Sequence, residues 1–355
     1  MARNRTYALA VLVTVAVVAG PALAGTVQSH GAKHAAATGG PRGPRGPRGA
    51  RGAAGRRGPA GVAGPAGPAG AAGAAVLSAS SASPLLRTIV VSPSGVGAAG
   101  DGALLAAAVA GISGADATNP YLVSLEPGVY DLGSTPLHLP AYVDLQGSGQ
   151  DVTTISGEGQ LALATAAGTE VRGLTVSDAN ATGAAEAIDA AGGLRDVTAV
   201  ASGTSAATAV LAASPTMPIV DVTASATTSS ASSFVQAIDA QGNVTIEGGS
   251  FTATEGGAVG QAVALFAEGP TAVSDATLQA GGGANPYPVD VVASSTVVTV
   301  TGSRLLGGGG FFVSTGDTLG VGASEIPGVP TSGSGIARCP DDWLPNFDGA
   351  SSDCS

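Results

Sequence analysis

Carboxylates are the residues of this chain whose spacing best suits chemistry. Six short β-rich strings, VRGLTV from Val171, LRDVTA from Leu194, IVDVTA from Ile219, IEGGSF from Ile246, VSDATL from Val273 and VTGSRL from Val300, start 23 to 27 residues apart. Two residues into each stands Gly173, Asp196, Asp221, Gly248, Asp275 or Gly302. If each string is one rung of a stack, Asp196 and Asp221 stand about 4.8 Å apart. That spacing suits a pair of calcium ligands, or the two carboxyl groups, about 5 Å apart, that cleave a sugar linkage with retention. Asp189 and Asp239 recur in two IDA strings two rungs apart, about 9.6 Å, near the separation of an inverting pair.

The same residues have a plainer reading. Gly alternating with Asp at one repeat position marks a turn of positive φ, which Gly adopts freely and Asp tolerates. Asp189 and Asp239 fit outward, solvated strand positions. His138 is the only His after His34, and its HLP surroundings supply no partner that would make it a base. No Lys follows Lys33, so a basic side chain beside bound calcium would have to be Arg172, Arg195 or Arg304. Arg172 and Arg195 align in adjacent rungs, where Glu170 can pair with them. The expectation is therefore a structural, adhesive or glycan-binding protein and not an enzyme, with no catalytic or cofactor-binding residue assigned. Asp196 and Asp221 are the metal candidates, for calcium, and a polysaccharide lyase or glycosidase is the alternative.

Positioning such residues needs a repeating scaffold, and the sequence contains one. Between the six strings lie second apolar runs: EAIDA from Glu186, TAVLA from Thr208, QAIDA from Gln236, QAVALFA from Gln261, PVDVVA from Pro288 and GFFVS from Gly310. Two or three short strands per unit of this length form one coil of a parallel β-helix, in which each coil buries its apolar face only against its neighbours. Aromatic residues make up 3% of the chain, as suits narrow coils filled by Val, Ile, Leu, Ala and Thr. A leucine-rich solenoid would show a denser Leu/Asn ladder, and a sandwich would not hold the register over six units.

Ahead of the coils, Asp101 is expected to cap a helix from Ala103 to about Ile112, with Leu104, Leu105, Ala108, Val109 and Ile112 on one face. NPYLVSLEPGVYDLG from Asn119 and YVDLQGSGQDVTTISG from Tyr142 follow as alternating strands with Gly turns. This stretch resembles the opening of pectin-lyase-like right-handed parallel β-helix proteins. The resemblance spans residues 87–330 and implies an all-β fold, a single-stranded solenoid whose open end is closed by the helix. Relatives of that fold cut or modify pectic polysaccharides, but the tight Asp-Asp, Gly-His-Gly and Arg-x-Lys strings of the family's hydrolases are missing from this chain. The resemblance concerns architecture and leaves activity open.

The remaining segments read differently. Residues 1–24 have the basic start, apolar stretch and Ala22-Leu23-Ala24 ending of an export signal. A linker over 25–39 leads to twelve unbroken Gly-x-y triplets from Gly40 to Ala75. Only Gly fits where three polyproline-II-like chains meet at an axis, so this stretch is collagen-like and implies a homotrimeric, triple-helical stalk. Residues 76–86 form a Ser/Ala linker, and residues 331–355 a tail that one disulfide between Cys339 and Cys354 would close. The net charge of -11 is divided, because all 25 acidic residues lie beyond the stalk. Arg42, Arg45, Arg48, Arg51 and Arg57 make the stalk basic, which offers it to anionic glycans or surfaces. An acidic chain is a poor nucleic-acid binder, and no run past residue 24 is long enough for a membrane helix. Together these features place the protein outside the cell, secreted or held at a surface. Sedimentation of residues 25–355 is expected to give three chains, and deletion of residues 40–75 one. A full-length monomer without cooperative collagen-type melting rejects the stalk.

Overall fold

One apolar position of each repeat stacks into a single column. Strand pairing runs Val123, Leu145, Val171, Leu194, Ile219, Ile246, Val273, Val300 and Val321, each opposite the next. These side chains are at most 2% exposed. Like residues therefore lie over one another about 4.8 Å apart, and β-branched side chains fill such a column without large anchors. The repeat inferred from the six strings is thus the physical rung of the stack.

The computed structural model describes residues 87–213, 218–230, 233–293, 295–326 and 332–338. Every described residue belongs to one unit of the chain, Ala75–Ser355. The export signal, the Gly-x-y repeat, the linkers, Cys339 and Cys354 lie outside the described residues.

This unit is a right-handed parallel β-helix. Its strands form a 17-stranded sheet and a nine-stranded sheet, and every ladder between named strands is parallel. The larger sheet turns a corner at the Gly/Asp position. Gly173, Asp196, Asp221, Gly248, Asp275 and Gly302 have φ of 64°, 50°, 51°, 72°, 55° and 58°. Only Gly, or a short polar residue such as Asp, adopts that conformation at low cost. A Cβ on Gly302 would stand 2.6 Å from Oδ1 of Asp275, so at that corner the Asp carboxylate takes the space that a side chain on the next would need. Gly248 after Asp221 is crowded in the same way, whereas Asp221 itself follows Asp196 and both keep the positive φ.

The nine-stranded sheet takes the second apolar runs in register. Ile188, Val210, Ile238, Leu265, Val289 and Phe311 stack as its inner column, all 0% exposed. The stack continues past residue 330, because Ile336–Arg338 pairs with Thr318–Gly320 of the preceding coil.

The helix differs from expectation at its start. It spans Ala98–Ala110, with Gly97 as N-cap and no capping side chain, so Asp101 lies inside its first turn. Asp101 instead accepts hydrogen bonds from the Ser94 backbone N–H at 2.6 Å and the Ser94 hydroxyl at 2.7 Å. This closes the loop before the helix and lets the helix begin earlier. Leu105 and Val109 face the stack as expected, whereas Leu104 is 44% exposed.

Gly102 is where the helix meets the coils, and a Cβ there would collide with the carbonyl oxygen of Asp131. Helix propensity alone would make Gly102→Ala stabilising by about 1 kcal/mol. The close approach reverses the sign, and Gly102→Ala is expected to cost about 1–3 kcal/mol in denaturant unfolding. A stabilised variant would show that the helix does not seat against that strand.

Candidate functional site

The outer face of the nine-stranded sheet collects the polar and aromatic side chains that the core excludes. Along strand Ala184–Ala190, Ala185, Ala187, Ile188 and Ala190 are buried, while Glu186 and Asp189 are less so. Two consecutive inward residues, Ala187 and Ile188, break the strict alternation of a strand, so Glu186 and Asp189 both face outward. Ala209 with Val210, Ala237 with Ile238 and Ala264 with Leu265 repeat the step in the following coils.

Cross-coil contacts show what this step does. Phe234 precedes Asp239 by five residues, and Asp239 pairs with Phe266 of the next coil. Five extended residues cover roughly 16 Å, yet the Phe234 and Phe266 rings meet edge to face with centroids 5.2 Å apart. One coil further on, Gln261 Nε2 donates to Oδ2 of Asp290 at 2.8 Å, although Gln261 and Asp290 stand opposite Phe234 and Phe266 in their respective columns. The strands are bent at the double-inward step, and the outer face is a trough along the stack axis.

Register sets its contents. One column runs His138, Ala164, Asp189, Leu211, Asp239, Phe266, Asp290 and Phe312. A second runs Glu186, Thr208, Gln236, Val263 and Tyr287. Tyr287 and Phe312 pack with ring centroids 5.9 Å apart. Asp189 and Asp239 do lie two coils apart, as their strings indicate, and Asp290 stands two coils further along.

Asp239 is not the solvated strand residue that the sequence implies, and Asp189 is half-buried. Asp239 is 8% exposed and Asp290 2%. Oδ1 of each is buried without a hydrogen-bond partner. Gln241 Nε2 donates to Oδ2 of Asp239 at 3.2 Å. Burial pushes the Asp290 carboxyl up to about 7, against the Gln261 hydrogen bond. Burial likewise raises Asp239 to about 6, with the Gln241 hydrogen bond opposing and the Glu268 charge adding. Glu186 is raised to about 7 by burial and then by the charges of Asp189, Asp239 and Asp178. Asp189 is raised by burial, and the His138 charge draws it back. His138 thus acts electrostatically on a carboxylate two coils away in its own column.

The other candidates sit elsewhere. Asp196 and Asp221 occupy exposed corners of the larger sheet in successive coils. Among the described residues no group of three or more His, Cys, Asp or Glu is arranged to hold a metal, and calcium takes six to eight oxygen ligands. Arg172 and Arg195 converge on Glu170, at 2.8 Å and 3.2 Å, and Arg172 Nε also donates to Gln146 at 3.0 Å. Asp290 and Glu186 were within reach of sequence reading. VDV of the PVDVVA string aligns with the IDA strings, and Glu186 heads EAIDA as Gln236 heads QAIDA. The bend that unites them has no sequence signature.

No protein-family model matches the chain, and no curated protein is similar to it in sequence. Among solved structures, pectin methylesterase from carrot is similar at 13% identity and a TM-score of 0.44, covering 71% of this chain and 84% of that one. Pectin methylesterase PemA from Erwinia chrysanthemi is similar at 12% identity and a TM-score of 0.32, over 74% of this chain and 91% of its own. The catalytic unit of a GH87 alpha-1,3-glucanase from Streptomyces thermodiastaticus gives 12% and 0.32, over 70% and 61%. At these identities the likeness concerns the fold alone. The expectation of a non-enzyme is corrected to this extent: it does not follow from the fold, since the solved proteins named above are themselves enzymes. One of its premises also fails, because Asp239 is buried instead of solvated. Among the described residues no helix is long and apolar enough to cross a membrane.

The raised carboxyls fix a sign for pH dependence. A group with a raised folded pKa binds its proton more tightly in the native state, so stability falls as pH rises from the unfolded value through the folded one. For Asp290 and Glu186 that window runs from the ordinary carboxylate range to about 7. The melting temperature is expected to drop between pH 5 and pH 8. Asp290→Asn should raise it at pH 8 by about 4 °C or more and flatten the profile. A variant less stable than the parent at pH 8 contradicts the burial of a charged Asp290.

Proposed function

We propose that the trough is the active site of a polysaccharide hydrolase, with Glu186 as general acid and Asp189 as general base. The observation that carries this reading is the placement of Glu186, Asp189 and Asp239 on one bent outer face, where burial and mutual repulsion hold Glu186 near the midpoint of its titration at neutral pH. A general acid works best with a pKa close to the operating pH. Glu186 gives its proton to the leaving glycosidic oxygen while water attacks the anomeric carbon. That water passes its proton to Asp189, which the His138 charge keeps more acidic than burial alone would. Two shorter chains are released, and the acid and base are reset by exchange with solvent.

A lyase mechanism fits less well. It needs a basic side chain beside the sugar, and the described arginines stand on the larger sheet, Arg172 and Arg195 around Glu170 and Arg304 on Glu325, which leaves His138, two coils from Asp189 in its column, as the one basic group among the described residues of the trough.

The test is a screen of the purified protein against polysaccharides, reading reducing-end release. Glu186→Gln and Asp189→Asn are each expected to lower kcat at least 100-fold with KM little changed. Parent activity should decline above about pH 7, as Glu186 loses its proton. Binding without turnover by the parent, or full activity in Glu186→Gln, overturns the hydrolytic reading.

A further inference from the structure

The distribution of charge around the trough narrows its ligand. Every described Arg belongs to the larger sheet: Arg87 stacks over Tyr121 at 5.6 Å, Arg172 and Arg195 hold Glu170, Arg304 holds Glu325, and Arg338 ends the last paired strand. No Lys occurs after Lys33. The trough itself carries Glu186, Asp189, Asp239 and Asp290, and its one basic group among the described residues is His138, in the column of Asp189 at the low-numbered end. A sugar chain with a carboxylate on each unit would bring further negative charge beside these groups with no described cation to meet it.

The hydrogen-bonding capacity points the same way. Oδ1 of Asp239 and Oδ1 of Asp290 are buried acceptors without donors, two coils apart. An ionised carboxylate only accepts, so its natural complement is a hydroxyl that donates. Phe266 lies between them in the same column, half-buried, with Phe234 against it. A half-buried aromatic next to polar acceptors suits the mixed apolar and hydroxyl surface of a pyranose ring. From Asp189 to Asp290 the column spans four coils, about 19 Å, which is long enough for several sugar units in line.

We infer that the trough binds an uncharged, hydroxyl-rich polysaccharide along the stack axis, with Asp239 and Asp290 accepting from its hydroxyls, and that it excludes polyuronates. This rests on the reading of the trough as a polysaccharide site.

The experiment measures binding of the full chain to an uncharged glucan, to polygalacturonate and to the amino-sugar polymer chitosan, at two salt concentrations, beside reducing-end release from each. The uncharged glucan is expected to bind at least tenfold more tightly than polygalacturonate, with the gap shrinking as salt screens the repulsion. Asp239→Asn and Asp290→Asn, checked for folding by their melting temperatures, should weaken glucan binding and admit polygalacturonate. Tighter binding of polygalacturonate or of chitosan by the parent overturns the assignment of ligand charge while leaving hydrolysis standing if either polymer is cleaved. Binding of the uncharged glucan without cleavage overturns hydrolysis and upholds the ligand class. Failure to bind any of the three overturns both.

Discussion

The structure depends on the parallel hydrogen-bonded ladder that holds each coil about 4.8 Å from the next. It sets the axial position of every side chain, so a residue type repeated in sequence becomes a column in space. Inside the coils the consequence is packing, as Val123, Leu145, Val171 and their successors stack in one buried column of aliphatic side chains. Outside, the same ladder places Asp189, Asp239 and Asp290 at two-coil intervals, with Leu211 and Phe266 between them. The site is built by the repeat that builds the fold.

Both sheets bury carboxylates, Asp178 and Glu255 on the larger and Asp239 and Asp290 on the smaller, and the larger also carries ion pairs near solvent. In those pairs Glu170 lies between Arg172 and Arg195, and Arg304 meets Glu325. Such pairs add little stability but leave no charge stranded. On the smaller sheet Asp239 and Asp290 are buried with Gln241 and Gln261 as donors and one oxygen each unpartnered. Burying a carboxylate in this way opposes folding at neutral pH, and it is tolerated where a site needs raised proton affinity. The bent strands make that arrangement possible, because they turn two outward positions toward one another, so that Gln261 reaches Asp290 of the next coil.

The coil period, the apolar columns and the corner residues were all readable before any coordinates. Period and column follow from local periodicity, and a Gly/Asp position that tolerates positive φ follows from the steric map of the backbone. The helix was readable as an element, though not its start, because the Ser94 to Asp101 hydrogen bonds that close the preceding loop are not a sequence pattern. The solvated role expected for Asp239 failed for a related reason. Alternation along a strand predicts which side a residue faces, and it does not predict that the outer side is folded into a trough.

What the sequence by itself determined is the set of columns, since a repeat of 23 to 27 residues with apolar residues at fixed positions has one stacking register that buries them all. What only the tertiary structure decided is the chemistry of the outer face. The bend at Ala187 and Ile188, and at its equivalents, joins residues five positions apart in adjacent strands, as Phe234 and Phe266 show. It also takes Asp239 and Asp290 out of water. Proton affinity depends on the solvent and charge around a group in three dimensions. The same IDA string can therefore encode a solvated strand residue or an acid titrating near neutrality, and the shape of the coil decides between them.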